Sequence, residues 1–109
     1  MGPRHETVEE LELTTVLHAL SDPQRLSIVR SLAEADEPVR CGGFGLSVTK
    51  STLTHHFRVL REAGVIGQEE DGTAKLNSLR REALDARFPG LLDAVLRAGD
   101  PAPGLFSGR

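Results

Sequence analysis

One face of the segment 49–63 carries hydroxyl, imidazole and cationic side chains, which are groups that contact phosphates and base edges. Leu53, Phe57 and Leu60 recur in this segment at i, i+4 and i+7, the spacing of one buried stripe on a helix. The side chains rotated away from that stripe include three bases and no acid before Glu62. We therefore expect a helix that buries one face and offers the other to a DNA groove. The candidate contacts to base edges are Lys50, Ser51, Thr54 and His55, and the candidate contacts to phosphates are Thr49, His56, Arg58 and Arg61.

Capping residues mark both ends of this helix. Thr49 suits the N-cap, because its hydroxyl can accept a hydrogen bond from an amide of the first turn. Gly64 can adopt the left-handed conformation that ends a helix. Asp71 and Gly72 then lie between two short extended runs, which predicts a β-hairpin. A helix followed directly by a hairpin indicates a winged helix-turn-helix, in which Lys75 is the one cationic contact that the wing offers.

Two further helices are predicted to form the scaffold for this one. Asp22 is a favourable N-cap and Pro23 suits the first helical turn, so a helix should begin there and continue to about Glu34. An earlier amphipathic helix is predicted from Thr7 to Leu20, with acids near its positive end.

Two motifs in these segments resemble those of a known family. Residues 17–32 read LHALSDPQRLSIVRSL, and residues 51–66 read STLTHHFRVLREAGVI. Residues 11–79 are similar to the ArsR-type (arsenical-repressor-like) winged helix-turn-helix transcriptional regulators. The resemblance implies a mostly α fold with a small β-hairpin, in which the second motif is the recognition helix. It also implies N- and C-terminal dimerisation helices.

Two segments depart from the family pattern. Glu69, Glu70 and Asp71 are three consecutive acids near the hairpin tip, where many relatives have Arg or Lys that enter the minor groove. The segment 38–48 contains three glycines, which disfavour the full helix that the family usually has there. We expect a loop in this segment, with at most a short turn around residues 44–47.

The two ends of the chain carry more apolar surface than the core of one protomer requires. The first helix has one stripe at i, i+3, i+4 and i+7 from Leu13 and a second apolar face beside it. Another amphipathic helix is predicted after Pro89, ending near Gly99. The surplus surface fits the dimer interface that the resemblance implies. The residues assigned to this interface are Val8, Leu11, Thr15, Leu91, Leu92, Val95 and Leu96.

Composition limits the class of protein. With 109 residues, of which 39% are hydrophobic, we expect one domain over residues 1–99 and a loose tail rich in Pro and Gly at 100–109. The sequence has no apolar run long enough to span a membrane and no N-terminal signal pattern, so a cytoplasmic protein is expected. The net charge of −3 is uneven: residues 1–37 hold three bases and eight acids, and residues 38–109 hold ten bases and eight acids. A DNA duplex responds to the local face, because charges beyond a Debye length of about 8 Å are screened.

Metal binding and catalysis are not favoured. Cys41 is the single cysteine and no histidine follows His56, so the chain lacks the thiolate pair and the C-terminal His ligand that the family's metal sensors use. We expect no metal and no other cofactor. The alternatives to an ordinary loop cysteine are a redox-sensitive thiol and a metal site shared across a dimer, with His5 or His18 as a further ligand. The glycine-rich residues 42–45 lack the Lys and Ser or Thr of a phosphate loop, and we expect no enzyme.

The sequence therefore predicts a dimeric, sequence-specific DNA-binding transcriptional regulator that acts as a repressor on an imperfect palindrome. Its partners would be a double-stranded DNA operator, a second copy of the chain and an effector that the sequence does not identify. The alternative is a winged-helix module that binds a protein through the same face, with the acidic wing repelling DNA.

Overall fold

The computed structural model describes residues 7–35, 37–40 and 49–99. The fold is mostly helical with a small antiparallel sheet, as predicted. In chain order, a 3-10 turn at Val8–Glu10 precedes helices α1 (Leu13–Ala19) and α2 (Pro23–Glu34), strand β1 (Val39–Arg40), helix α3 (Lys50–Glu62), strands β2 (Ile66–Asp71) and β3 (Ala74–Leu79), and helices α4 (Arg81–Arg87) and α5 (Leu91–Gly99).

The sheet contains the predicted hairpin and one further strand, in the order β1-β3-β2. β2 and β3 are antiparallel and joined by a two-residue turn, Gly72-Thr73. Gly72 has a φ of +65°, which glycine adopts without a Cβ clash. β1 pairs with β3 through Val39, which lies opposite Asn77. The loop predicted for 38–48 did not include this strand, because a two-residue strand is specified by its pairing partner rather than by its own sequence.

Helix α2 has the predicted bounds and a well-formed start. Oδ1 of Asp22 accepts hydrogen bonds from the amides of Gln24 and Arg25, at 2.8 and 3.1 Å. These bonds satisfy amides that have no partner in the first turn of the helix. The apolar face of α2 contributes to a core formed by Leu11, Val16, Ala19, Leu20, Ile28, Val29, Leu32, Phe57, Leu60, Ala63, Val65, Ile66, Leu84 and Leu92.

The N-terminal segment is not one helix over 7–20, so that prediction is wrong. The 3-10 turn at Val8–Glu10 ends at Leu11, whose backbone is extended (φ −70°, ψ 130°), and α1 begins at Leu13. The extended backbone accompanies burial of the Leu11 side chain in the core, and the Leu11 carbonyl accepts a hydrogen bond of 3.1 Å from Nε of Arg87 on α4. Tertiary contacts therefore outweigh helical propensity at this point.

The break changes which apolar residues of the first helix face solvent. Leu11 and Leu92, both assigned to a dimer interface from the sequence, are buried in the core of the protomer itself, and Leu92 is only 2% exposed. Leu13 and Leu17 are instead 46% and 42% exposed, one helical turn apart on α1. The assignment of Leu11 and Leu92 is corrected accordingly. Of the other assigned residues, Thr15 is exposed and Val8, Leu91, Val95 and Leu96 are half-buried.

The C-terminal part contains one helix that was predicted and one that was not. α5 follows Pro89 as expected and ends at Gly99. α4 has seven residues, no side-chain hydrogen bond at its N-cap and one buried side chain, Leu84. These features leave little signal for α4 in the sequence, because neither a capping residue nor a long apolar stripe marks it.

Three predictions concern residues outside the described ranges: the tail at 100–109, the loop at 41–48 with Cys41, and any role of His5. Within the described part of the chain, no helix is long and apolar enough to span a membrane.

Candidate nucleic-acid interface

Local hydrogen bonds hold both ends of helix α3. At its start, the Thr52 amide donates to Oγ1 of Thr49 at 3.1 Å. At its end, the Gly64 amide donates to the Arg61 carbonyl and the next amide donates to the Leu60 carbonyl, each at 3.0 Å. Gly64 has a φ of +83°, and this geometry is the Schellman motif. Both predicted helix ends are confirmed, so the exposed side chains project from a helix whose length is fixed locally.

The two faces of α3 separate as the sequence predicted. Phe57 and Leu60 are buried, and Leu53 is half-buried against the same core. On an ideal helix, the exposed candidates fall within an arc of about 140° on the other side. Two cations, two hydroxyl groups and one imidazole therefore share one solvent-facing surface. These exposed candidates are Lys50, Ser51, Thr54, His55 and Arg58.

Thr49 is also exposed, but its hydroxyl is occupied within the helix. Oγ1 accepts from the Thr52 amide and donates to Oγ1 of Thr52 at 2.8 Å. A hydroxyl has a single proton to donate. The side chain of Thr49 therefore serves first as the N-cap of α3.

His56 differs from the other candidates, because it is buried rather than offered to solvent. His56 is only 7% exposed, and its Nδ1 lies 3.2 Å from Nη1 of Arg25 on α2. A guanidinium can only donate, so Nδ1 is the acceptor in this contact, and Nε2 lies 3.9 Å from Oδ1 of Asp22. The predicted phosphate contact of His56 is therefore corrected to a contact between α3 and α2. The signal was in the sequence: relative to Leu53, position 56 is the i+3 member of the buried stripe that Phe57 continues.

Arg25 is a structural residue whose role the sequence analysis missed. Its buried guanidinium donates from Nε to the Ala19 carbonyl at 2.8 Å and from Nη2 to the His18 carbonyl at 3.4 Å, besides its bond to His56. Burial raises the pKa of the neighbouring Asp22 carboxyl. The amide hydrogen bonds from Arg25 and Gln24 and the nearby side chains of His56 and Arg25 lower it by more, so that the pKa of Asp22 lies below its usual value. One buried cation thus connects the end of α1, the start of α2 and the middle of α3.

Replacing Arg25 with Met should destabilise the protomer by about 2–5 kcal/mol, because buried acceptors on α1 and α3 lose their donor. Arg81→Met is the matched control: the ion pair of Arg81 with Asp93, at 3.2 Å, is exposed on both sides and should contribute less than about 1 kcal/mol. Urea unfolding followed by circular dichroism measures both. Equal losses of unfolding free energy in the two variants would contradict the role given to Arg25.

The wing combines one cation with three acids. Lys75 is exposed on β3 directly opposite Glu70 on β2, and Glu69 and Asp71 are exposed as well. Opposite charges at paired positions of a hairpin attract each other, so Glu70 partly neutralises the cation. The wing tip therefore presents a net negative charge to any approaching duplex.

Arg61 lies between the recognition face and the wing. It is half-buried in the last turn of α3, and its Nη1 donates to Oε1 of Gln68 on β2 at 3.0 Å. In the described part of the chain this is the one hydrogen bond of its guanidinium, which has five N–H donors. Four donors therefore remain for a phosphate.

The described residues contain no group of three His, Cys, Asp or Glu side chains that could hold a metal ion. His18 is exposed on α1, and its contribution to the contacts above comes from its backbone carbonyl.

The helices, the hairpin and the exposed cationic face of α3 together define a protein of the winged-helix class. Residues 22–67 match the model of the family described as bacterial regulatory protein, arsR family. An uncharacterized HTH-type transcriptional regulator of Bacillus subtilis (strain 168), YceK, is 35% identical over 82 residues, which are 73% of this chain and 82% of that relative. The chain belongs to the arsR family, and its resemblance to the ArsR-type regulators is confirmed.

Two further proteins agree with this assignment. The HTH-type transcriptional repressor SmtB of Mycobacterium tuberculosis (strain ATCC 25618 / H37Rv) is 34% identical over 87 residues, which are 80% of this chain and 62% of SmtB. The crystal structure of the transcriptional repressor BigR from Xylella fastidiosa superimposes with a TM-score of 0.63 at 22% identity, covering 83% of this chain and 88% of BigR. The second likeness supports the fold alone. Taken together, the family and its named relatives make the chain a DNA-binding transcriptional regulator.

Proposed function

We propose that this regulator is a homodimeric repressor that reads a palindromic DNA operator with the exposed face of α3. The observation that carries the proposal is the separation of faces on α3, because a helix with a buried apolar side and a solvent-facing cationic side has the form of a recognition helix. In this proposal the first turn of α3 enters the major groove, as in other helix-turn-helix proteins.

The exposed side chains divide into two groups by position and chemistry. Lys50, Ser51, Thr54 and His55 lie in the first two turns of α3, where side chains reach base edges. Arg58 and Arg61 lie towards its end and suit phosphates, as does Lys75 on the wing. Specificity should therefore come from the first group, and most of the salt-dependent affinity from the second.

The dimer is supported by apolar surface that one protomer leaves uncovered. Leu13 and Leu17 are large, exposed and adjacent on α1. Val8, Thr15 and the half-buried face of α5 are the other residues proposed for the interface. A two-fold axis would present two α3 helices to half-sites about 34–36 Å apart, which is why an operator with two-fold symmetry is expected.

Selection of bound fragments from genomic DNA, followed by mobility-shift measurements, tests the proposal. Lys50→Ala should weaken operator binding by about 1–3 kcal/mol and affect random DNA much less, because a base contact carries sequence information. Arg58→Ala, from the same exposed face, is the matched control and should weaken binding to both DNAs alike. If Lys50→Ala weakens both DNAs equally, the division into base and phosphate contacts is wrong.

A second candidate function is a winged-helix module that binds a protein through this face. The acidic residues Glu69, Glu70 and Asp71 at the exposed wing tip favour it, because they repel a DNA backbone. Failure of the selection to enrich any fragment at low salt would favour this candidate over the repressor.

A further inference from the structure

A row of side-chain hydrogen bonds crosses the sheet and ends at Arg61. Val39, Asn77 and Gln68 occupy paired positions on β1, β3 and β2. Nδ2 of Asn77 donates to the Val39 carbonyl at 3.0 Å, and Nε2 of Gln68 donates to Oδ1 of Asn77 at 2.8 Å. Oε1 of Gln68 then accepts from Nη1 of Arg61 at 3.0 Å. Both amide side chains are buried, and Asn77 is completely so.

The two ends of the row determine the orientation of each amide group. A backbone carbonyl can only accept, so it fixes the amino group of Asn77 towards Val39 and leaves Oδ1 facing Gln68. That oxygen in turn fixes the amino group of Gln68, whose Oε1 must then face Arg61. The guanidinium at the other end can only donate, so every bond in the row agrees in direction.

Sheet stability alone does not account for such a row. Two buried primary amides have to be desolvated, and apolar residues of similar size at both positions would cover the same core without that cost. What the row adds is a fixed acceptor beside the last turn of α3. A long, flexible side chain that is held by one hydrogen bond loses less freedom when it binds a second group.

We propose that Gln68 and Asn77 are positioning residues that hold the Arg61 guanidinium ready for a DNA phosphate. The inference rests on the proposed DNA-binding function of α3. Gln68 occupies one Nη1 donor and leaves the other donors for a bidentate contact with the backbone. Asn77 acts on Arg61 indirectly, because its Oδ1 on β3 orients the amide group of Gln68.

A double-mutant cycle on operator binding tests this role. Arg61→Met should lower operator affinity and reduce the slope of log affinity against log salt by about 1 per subunit, as the loss of one phosphate contact does. Gln68→Met should produce part or all of the same change in affinity and slope. In the Arg61→Met background, Gln68→Met should have no further effect on either, because it acts through Arg61.

The control is Ser78→Ala, which changes an exposed neighbour of Asn77 on the same strand and should leave affinity and slope unchanged. Thermal unfolding by circular dichroism establishes that each variant is folded. Should Gln68→Met not fold, Gln68→Asn carries the same cycle, because it keeps the amide but is too short to bridge Arg61 and Asn77.

The outcomes separate this inference from the function on which it rests. If the wild-type protein binds no DNA, the proposed function fails. If the wild type binds and Gln68→Met leaves affinity and slope unchanged, or lowers affinity equally with and without Arg61, the positioning role is overturned. A change in affinity and slope for Gln68→Met in the same direction as for Arg61→Met, with no added effect in the double variant, supports it.

Discussion

Raising the salt concentration from 50 to 200 mM should weaken operator binding by about 10³, the lower end of the range for six to ten phosphate contacts. Two copies of α3 supply the cations Lys50, Arg58 and Arg61. When such cations neutralise phosphates, the counterions condensed on the duplex are released. Each wing offers Lys75 alone, opposite Glu70. Fluorescence anisotropy of a labelled operator across this range measures the slope.

The acids of the wing make a second part of this prediction. Replacing both Glu69 and Glu70 with Lys should tighten binding to random DNA and steepen its salt dependence, because repulsion at the wing tip becomes attraction. A double variant with Glu34→Lys and Glu82→Lys makes the same change in net charge at exposed positions of α2 and α4, outside α3 and the wing. Equal tightening of DNA binding by the two double variants would mean that only the net charge of the protein matters. Separately, a wild-type affinity that does not change with salt would contradict phosphate binding altogether.

Leu17→Asp should dissociate the dimer and abolish operator binding while the protomer stays folded. The Leu17 side chain is 42% exposed, so an Asp there costs the isolated protomer little. In the proposed interface the same carboxylate would be buried without a partner, which is strongly unfavourable. A single half-site then retains too few contacts for specific binding. Sedimentation velocity should report the mass of one chain, 11.8 kDa, instead of two.

Two comparisons sharpen this test. Ser78→Asp puts the same charge on an exposed residue of β3, outside the residues proposed for the interface, and should leave the dimer intact. Leu92→Asp should instead unfold the protomer, because Leu92 lies in its core. A Leu17→Asp protein that still sediments as a dimer with full operator affinity would refute the interface.

Features of the fold that depend on neighbouring residues were predictable from the sequence. The bounds of α2 and α3 follow from Asp22, Thr49 and Gly64, because a cap forms with amides or carbonyls only a few residues away. The hairpin turn at Gly72 is local in the same sense. The exposed face of α3 followed from helical period alone, apart from His56.

The features that were missed depend on contacts between distant segments. The extended backbone at Leu11 accompanies a hydrogen bond from Arg87, which lies 76 residues further along the chain. The position of His56 in the buried stripe signalled its burial, but a periodic pattern does not identify its partner, Arg25 of α2. The row from Val39 to Arg61 likewise requires the register of three strands, which no single stretch of sequence specifies.

The acids at the wing tip also affect how the protein is distributed between its operator and the rest of a chromosome. A chromosome offers about 10⁶–10⁹ competing sites of the wrong sequence, and a protein held by the backbone alone spends most of its time on them. In the proposed function, three acids beside the hairpin turn would weaken backbone association at every site, whereas the proposed base contacts of α3 would form only at the correct one. The share of molecules free in solution would then rise, while the preference for the operator over other sites, set by the base contacts, would stay the same.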